Sequence, residues 1–171
     1  MEIYMQFRKQ ISSALVRKQI VFCGLLWSCL ACQPNYLYQE EKIIANSIWT
    51  YDDAVSFTFQ IDDTEAQYNL YLDIRHSTQF PFQNLYTMIQ TTYPSGRTVD
   101  SRISIDMANK LGEWYGKCSQ EDCLLRVNLQ QGAFFKEAGA HQITFEQYTR
   151  KDSLAGVNVL GFAVEAVKNI N

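Results

Sequence analysis

Hydrophobic and polar residues alternate along two short segments of the chain, as expected for β-strands with one buried face. In residues 55–61, Val, Phe, Phe and Ile take the odd positions, and Ser, Thr and Gln take the even ones. Residues 68–75 alternate in the same way, with Tyr, Leu, Leu and Ile separated by Asn, Tyr, Asp and Arg. The polar residues 62–65 lie between the two segments as a turn, so the pattern predicts that these strands pair as a hairpin.

Further short apolar runs continue to the C-terminus. Residues 85–93 and 98–105 flank the turn-forming sequence Pro94-Ser95-Gly96, which predicts another strand pair. Later runs occupy residues 124–129, 134–135, 140–148 and 160–167. Because about seven or eight short strands follow one another without a long segment of helical period, we predict an all-β fold, a single antiparallel β-sandwich.

The N-terminal region has a different pattern. Four basic residues between positions 8 and 18 precede an uncharged run at residues 20–30. This run is too short to cross a bilayer core, which requires about 20 apolar residues. A basic stretch followed by a short apolar stretch and small residues is the layout of a secretory signal peptide.

The apolar run ends in Cys29-Leu30-Ala31-Cys32, which resembles a lipobox. In a lipobox, a small residue precedes the cysteine that becomes the acylated N-terminus. We therefore predict that residues 1–31 are a cleaved signal peptide and that Cys32 carries covalent diacylglycerol and palmitate, with Cys29 as the alternative. Residues 32–47 are then expected to form a lipidated, partly helical tether, and residues 48–171 the β-sandwich domain.

The residues after the predicted anchor indicate which membrane holds it. Residues 33–36 contain no acidic side chain. In lipoproteins resembling those of Bacteroidota, an acidic cluster beside the cysteine marks export to the cell surface, and in enteric bacteria an adjacent Asp retains the lipoprotein in the inner membrane. We therefore expect a cell-envelope protein anchored in the outer membrane and facing the periplasm.

Composition and charge exclude some classes of function for this protein. The chain has 171 residues, of which 19% are charged, and a formal net charge of -3. The low charge content disfavours a disordered chain, and the acidic balance disfavours a nucleic-acid partner. After processing, Cys118 and Cys123 remain, in a compartment that permits disulfides. The sequence leaves open whether these two cysteines form a disulfide or remain free thiols. Metal binding is disfavoured because His76 and His141 are distant in sequence.

The chain lacks the short catalytic motifs, since it contains no GxSxG, HExxH, P-loop or GxGxxG sequence. We therefore expect no enzymatic activity, no metal site and no cofactor beyond the covalent lipid. Asp73 and Arg75 share a strand face that His76 does not, which predicts a solvated cross-strand charge pair. The candidate surface for a partner or ligand, for which core packing is the alternative, comprises Tyr71, Arg75, Phe80, Phe82, Asn84 and Tyr86.

The ordered motifs along the chain resemble one family, the GldH gliding-motility lipoproteins of Bacteroidota. The resemblance is carried by Cys32, residues 38–42, Trp49 with Asp52-Asp53, Tyr68-Asn69-Leu70, Ile74-Arg75, residues 80–85, Tyr93-Pro94-x-Gly96, Gly112-x-Trp114-x-Gly116, Gln147-x-x-Arg150 and Leu154-x-Gly156-Val157. It implies a non-enzymatic accessory protein of the gliding machinery, which is associated with type IX secretion, and a companion lipoprotein, GldJ, as partner. A glycan-binding β-sandwich lipoprotein is the alternative function.

Overall fold

The computed structural model describes residues 35–167, so the predicted signal peptide and both candidate lipidation cysteines, Cys29 and Cys32, lie outside the described residues. Within residues 35–167 the chain forms strands and one turn of 3-10 helix, Ala45–Ser47. The strands are β1 Tyr36–Ile43, β2 Ile48–Thr50, β3 Val55–Ile61, β4 Tyr68–Ser77, β5 Asn84–Thr92, β6 Thr98–Asp106, β7 Lys117–Cys118, β8 Asp122–Ala133, β9 Gly139–Gln147, β10 Ser153–Ala155 and β11 Val157–Ala166. In this part of the chain, no helix has the length and apolar character needed to cross a membrane.

The strands form two main antiparallel sheets. One sheet has the strand order β1-β11-β4-β8-β7, the other has the order β3-β9-β5-β6, and β2 and β10 form a separate two-stranded ribbon. Phe57 and Phe145 from the four-stranded sheet and Leu72 and Phe162 from the five-stranded sheet belong to one buried cluster. The predicted all-β antiparallel sandwich is therefore confirmed.

The hairpin predicted for residues 55–61 and 68–75 is wrong, although both strands exist. Strand β3 pairs with β9, and β4 lies between β11 and β8 in the other sheet. The connection between them crosses from one sheet to the other and is held by Asp63, whose side chain accepts from the backbone N–H groups of Glu65 and Ala66. Each strand buries alternate side chains against the shared core, and this pattern does not depend on which strand lies beside it.

The strand pair predicted around Pro94-Ser95-Gly96 is confirmed. Strands β5 and β6 pair from Asn84↔Asp106 to Thr92↔Thr98. Gly96 has a φ of +82°, which favours glycine in the turn, and its N–H donates to the carbonyl of Tyr93 at 2.8 Å. Farther along, β8 ends at Ala133, so the run predicted at residues 134–135 lies outside the strands.

The prediction of a tether over residues 32–47 is wrong for residues 36–47. Residues 36–43 form β1, an edge strand that pairs with β11 over most of its length. Tyr38 packs against Phe59 and Phe162, with ring centroids 6.0 and 6.2 Å apart, and the Lys42 amine donates to the carbonyl of Ser56. Strand β1 therefore closes one side of the sandwich.

Candidate functional site

A broad depression lies where β5 begins and β9 ends. It has a volume of about 1110 Å³. Its lining comprises Tyr51, Phe82, Asn84, Tyr86, Glu146, Gln147, Tyr148, Thr149, Arg150 and Lys151. We call it the β5–β9 depression.

One wall of the β5–β9 depression is the start of β5. Asn84 and Tyr86 are two residues apart on this strand, so their side chains project from the same face. The Asn84 amide donates to the Tyr86 hydroxyl at 3.0 Å. The backbone carbonyl of Tyr86 accepts from the N–H of Tyr148 at 3.0 Å, which ties the segment after β9 to β5.

The opposite wall is the loop after β9, and Gln147 organises it. Gln147 is only 2% exposed, and its amide donates to the carbonyl of Lys151 at 2.5 Å. Its side-chain carbonyl accepts from the backbone N–H of Thr149 at 2.7 Å. The Tyr51 hydroxyl donates to the carbonyl of Thr149. This loop is therefore held by hydrogen bonds from the buried Gln147 side chain and from Tyr51.

Exposed aromatic rings and charges give the β5–β9 depression its chemistry. Tyr51, Tyr86 and Tyr148 are 46%, 45% and 44% exposed. The Lys151 amine lies 5.8 Å from the centre of the Phe82 ring, and the Arg102 guanidinium lies 4.7 Å from that of Tyr148. Aromatic faces beside amide and cationic groups can receive either a protein side chain or a sugar ring.

The six candidate surface residues do not form one surface. Phe82, Asn84 and Tyr86 meet in the β5–β9 depression. Phe80 is only 4% exposed and packs against the rings of His76 and Phe82, so core packing explains it.

Tyr71 and Arg75 are separate from that depression. They alternate with buried core residues of β4, so they lie on the outer face of the five-stranded sheet. The Tyr71 hydroxyl donates to Glu165 of β11 at 2.8 Å. Burial raises the pKa of Tyr71 above its ordinary value, and the Glu165 carboxylate raises it further.

The same outer face carries an ion pair between an exposed arginine and a buried carboxylate. Arg126 of β8 lies opposite Asp73 of β4 and donates from Nε and Nη2 to its two carboxylate oxygens, at 2.7 and 2.5 Å. These hydrogen bonds to Asp73 raise the pKa of the guanidinium above its ordinary value. The predicted cross-strand charge pair therefore exists with Arg126 as the partner, but Asp73 is not solvated, since it is only 5% exposed.

Cys118 and Cys123 face each other across the β7–β8 hairpin and are joined by a disulfide. The hairpin turn is closed by the N–H of Ser119, which donates to the carbonyl of Asp122 at 2.7 Å. Closing so short a loop contributes roughly 2 kcal/mol on the chain-entropy model. Among residues 35–167, no group of three or more His, Cys, Asp or Glu side chains could hold a metal ion.

His76 is a buried titratable side chain at the same end of the sandwich as the β5–β9 depression. It is fully buried against Trp114, with ring centroids 4.7 Å apart. Its Nδ1 lies 3.0 Å from the carbonyl of Ser77, and its Nε2 has no hydrogen-bond partner among the residues that the structure describes. Burial lowers the pKa of His76 below its ordinary value, while that hydrogen bond and the charge of Asp122 oppose the shift.

The lowered pKa of His76 predicts acid destabilisation of the fold. The unfolded chain takes up a proton near pH 6.5 and the folded chain only at lower pH, so the stabilisation is complete above about pH 6.5 and is lost below it. We expect the free energy of unfolding to fall by up to about 1.4 kcal/mol per pH unit in that window. Urea titrations at several pH values, for the protein and for His76→Asn, measure this. The difference between the two isolates the contribution of His76, and equal slopes would contradict the prediction.

The sequence is similar to one family of known proteins. The model of the GldH lipoprotein family matches residues 36–164. A gliding motility lipoprotein GldH homolog from Christiangramia forsetii is 24% identical over 156 residues, covering 87% of this chain and 94% of that protein. The gliding motility lipoprotein GldH of Flavobacterium johnsoniae is 25% identical over 142 residues, covering 79% and 87%.

A solved structure, that of a carbohydrate-binding module (CBM28) specific for non-crystalline cellulose, aligns with 76% of this chain and 72% of its own. The identity is 12% and the TM-score is 0.39.

Proposed function

Because the chain belongs to the GldH lipoprotein family, and is therefore a gliding-motility lipoprotein of the cell envelope, we propose that it acts by protein–protein contact and not by catalysis. In this proposal it is an accessory protein of the gliding and type IX secretion machinery. Its companion is another gliding lipoprotein, GldJ. Confinement of both proteins to one membrane raises their effective concentration, so an interface of modest affinity is sufficient.

The proposed anchor is Cys32, acylated with diacylglycerol and palmitate, in the outer membrane and facing the periplasm. The lipobox-like sequence and the absence of acidic residues at positions 33–36 support this assignment. One acyl chain binds a membrane only weakly, whereas two or more chains give a stable anchor. The folded domain then needs no membrane-spanning segment of its own.

The observation that carries the proposed contact is the group of half-exposed aromatic rings in the β5–β9 depression. Tyr51, Tyr86 and Tyr148 expose nearly half of their surfaces there, beside Arg150. Tyrosine and arginine are enriched among the residues that dominate the binding energy of protein interfaces. The depression is therefore the surface that we propose contacts the partner.

Replacing Tyr86 by alanine tests this contact. Loss of a central aromatic anchor is expected to weaken binding by about 2 kcal/mol, so recovery of GldJ with the protein from detergent-solubilised envelopes should fall by at least about tenfold. Tyr115→Ala is the matched control, because Tyr115 is 60% exposed and lies outside the depression. Equal recovery with both variants, or no recovery of GldJ with the unaltered protein, would contradict the proposal.

Glycan binding at the same depression is the second candidate. The observation that favours it is the presence of Phe82, Tyr86 and the Asn84 amide together, since sugar rings pack on aromatic faces and hydrogen-bond to amides. Binding to a glycan array that Phe82→Ala abolishes would support this candidate. Binding to GldJ without binding to any glycan would exclude it in favour of the protein contact.

A further inference from the structure

We propose that the end of the sandwich at which the folded chain begins lies directly on the lipid leaflet, with the β5–β9 depression at the opposite end. This inference rests on the proposed acylation of Cys32. It replaces the tether expected from the sequence with a contact between the domain and the lipid surface.

The first observation is where the folded chain begins. Asn35 is hydrogen-bonded to the sheet, because its carbonyl accepts from the N–H of Ala166 at 3.2 Å. Three residue steps separate Cys32 from Asn35. A fully extended chain spans at most about 3.6 Å per residue, so covalent geometry alone limits the distance from Cys32 to Asn35 to about 11 Å.

The second observation is which parts of the domain share this end. Strand β1 begins beside the end of β11 and β4 begins opposite the end of β8, so the connections at residues 62–67, 93–97 and 134–138 lie at the same end as Asn35. Ser95 donates its N–H to Glu137 at 2.9 Å, which joins two of these connections. We call this group of connections the anchor end.

The third observation is the apolar surface at the anchor end. Phe134 is 59% exposed, and Leu37 and Val99, near the starts of β1 and β6, are 46% and 42% exposed. A lipid leaflet covers such side chains when the anchor holds them against it. Because Ile43 and Leu111 at the opposite end are each 85% exposed, apolar surface alone does not select the anchor end.

Charge does not explain the contact. The three connections of the anchor end carry four acidic and two basic side chains, so an anionic leaflet would not attract them. The short covalent link is what places this end on the lipid. Strand β4 is 10 residues long, and at about 3.3 Å per residue the opposite end stands roughly 30 Å from the leaflet.

A tryptophan reporter tests the proposal. Acylated Phe134→Trp protein is purified from membranes and reconstituted into phosphatidylcholine vesicles. The lipid acyl chains either carry bromine atoms close to the headgroup or carry none. Leu111→Trp is the matched control, because Leu111 is 85% exposed in the connection that follows β6, at the opposite end. The native Trp49 and Trp114 also lie at that end, so the unaltered protein supplies the baseline emission.

We expect the brominated lipid to remove most of the emission added by Phe134→Trp and none of that added by Leu111→Trp. If the brominated lipid removes the same fraction of the added emission from both variants, in protein whose mass shows the acyl chains and which floats with the vesicles, this inference is overturned and the proposed anchor stands. Protein without acyl chains would overturn both.

A longer link tests whether the short link imposes the contact or whether the domain stays on the lipid without it. Inserting twelve Gly and Ser residues between Pro34 and Asn35 gives a flexible link with an r.m.s. length of about 20 Å. We expect the quenching of Phe134→Trp to disappear while flotation persists. Quenching that survives the insertion would overturn the claim that the short link imposes the contact.

Discussion

Replacing Cys32 by alanine is expected to abolish palmitate labelling and to leave a larger, unprocessed precursor. The Cys32 thiol is the group to which the proposed diacylglycerol is attached, and cleavage at a lipobox depends on the acylated cysteine. Each buried CH₂ of an acyl chain contributes about 0.8 kcal/mol to membrane binding, so this single change removes the largest membrane affinity of the protein. Palmitate labelling of cells, followed by membrane fractionation and gel analysis, measures both effects.

Cys29→Ala is the matched control for this experiment. It removes a neighbouring thiol of the same apolar segment and leaves Ala31-Cys32 intact. We expect this variant to keep its label and to be processed normally. Loss of label in Cys29→Ala together with normal labelling of Cys32→Ala would show that Cys29, and not Cys32, carries the acyl chains.

Replacing Phe162 by alanine is expected to lower the free energy of unfolding by about 4 kcal/mol, because it opens a cavity in the centre of the core. Phe162 is 1% exposed, and its ring centre lies 5.4 Å from that of Phe59, 5.8 Å from that of Phe57 and 6.0 Å from that of Phe145. It therefore joins β11 of one sheet to β3 and β9 of the other. Since most domains are stable by only about 5–15 kcal/mol, this loss is a large fraction of the total.

Urea unfolding of the mature chain, produced without its signal and lipid, measures this loss. Phe134→Ala is the matched control, because it deletes the same ring from a side chain that is 59% exposed. We expect the control to change the free energy of unfolding by less than about 0.5 kcal/mol. If both variants unfold at the same urea concentration, Phe162 does not have the central role in the core that its contacts indicate.

The strands with one buried and one solvent-exposed face could be predicted from the sequence, but the strands they pair with could not. Alternation located β3 and β4, because each of these strands buries alternate side chains in the core. The pairing of β5 with β6 was also predictable, since a tight turn joins them. The partner of β3 is β9, and no local pattern records a pairing between segments so distant in sequence.

Strand β1 was missed because its position at the sheet edge lets it be polar. Glu40 and Glu41 are exposed, and the strand is held by backbone pairing with β11 and by the inward-facing Tyr38. A polar segment of this kind has the composition of a tether. The alternation of the less exposed Tyr36 and Tyr38 with exposed neighbours is visible only in the fold, because Leu37 between them is itself apolar.

Part of the β5–β9 depression was also predictable. Phe82, Asn84 and Tyr86 are close in sequence and fall on one wall, so they could be found together. Tyr51 and Tyr148 complete the depression from segments that are remote in sequence, and only the fold brings them there. Gln147 and Arg150 did belong to a motif of the GldH resemblance, and their spacing matches the loop that Gln147 holds.

The covalent lipid on Cys32 is tested most directly by the intact mass of the protein isolated from native membranes. We predict a chain that begins at residue 32 and is heavier than residues 32–171 by the mass of diacylglycerol with or without a further acyl chain. An unmodified polypeptide that retains residues 1–31 would contradict the proposal.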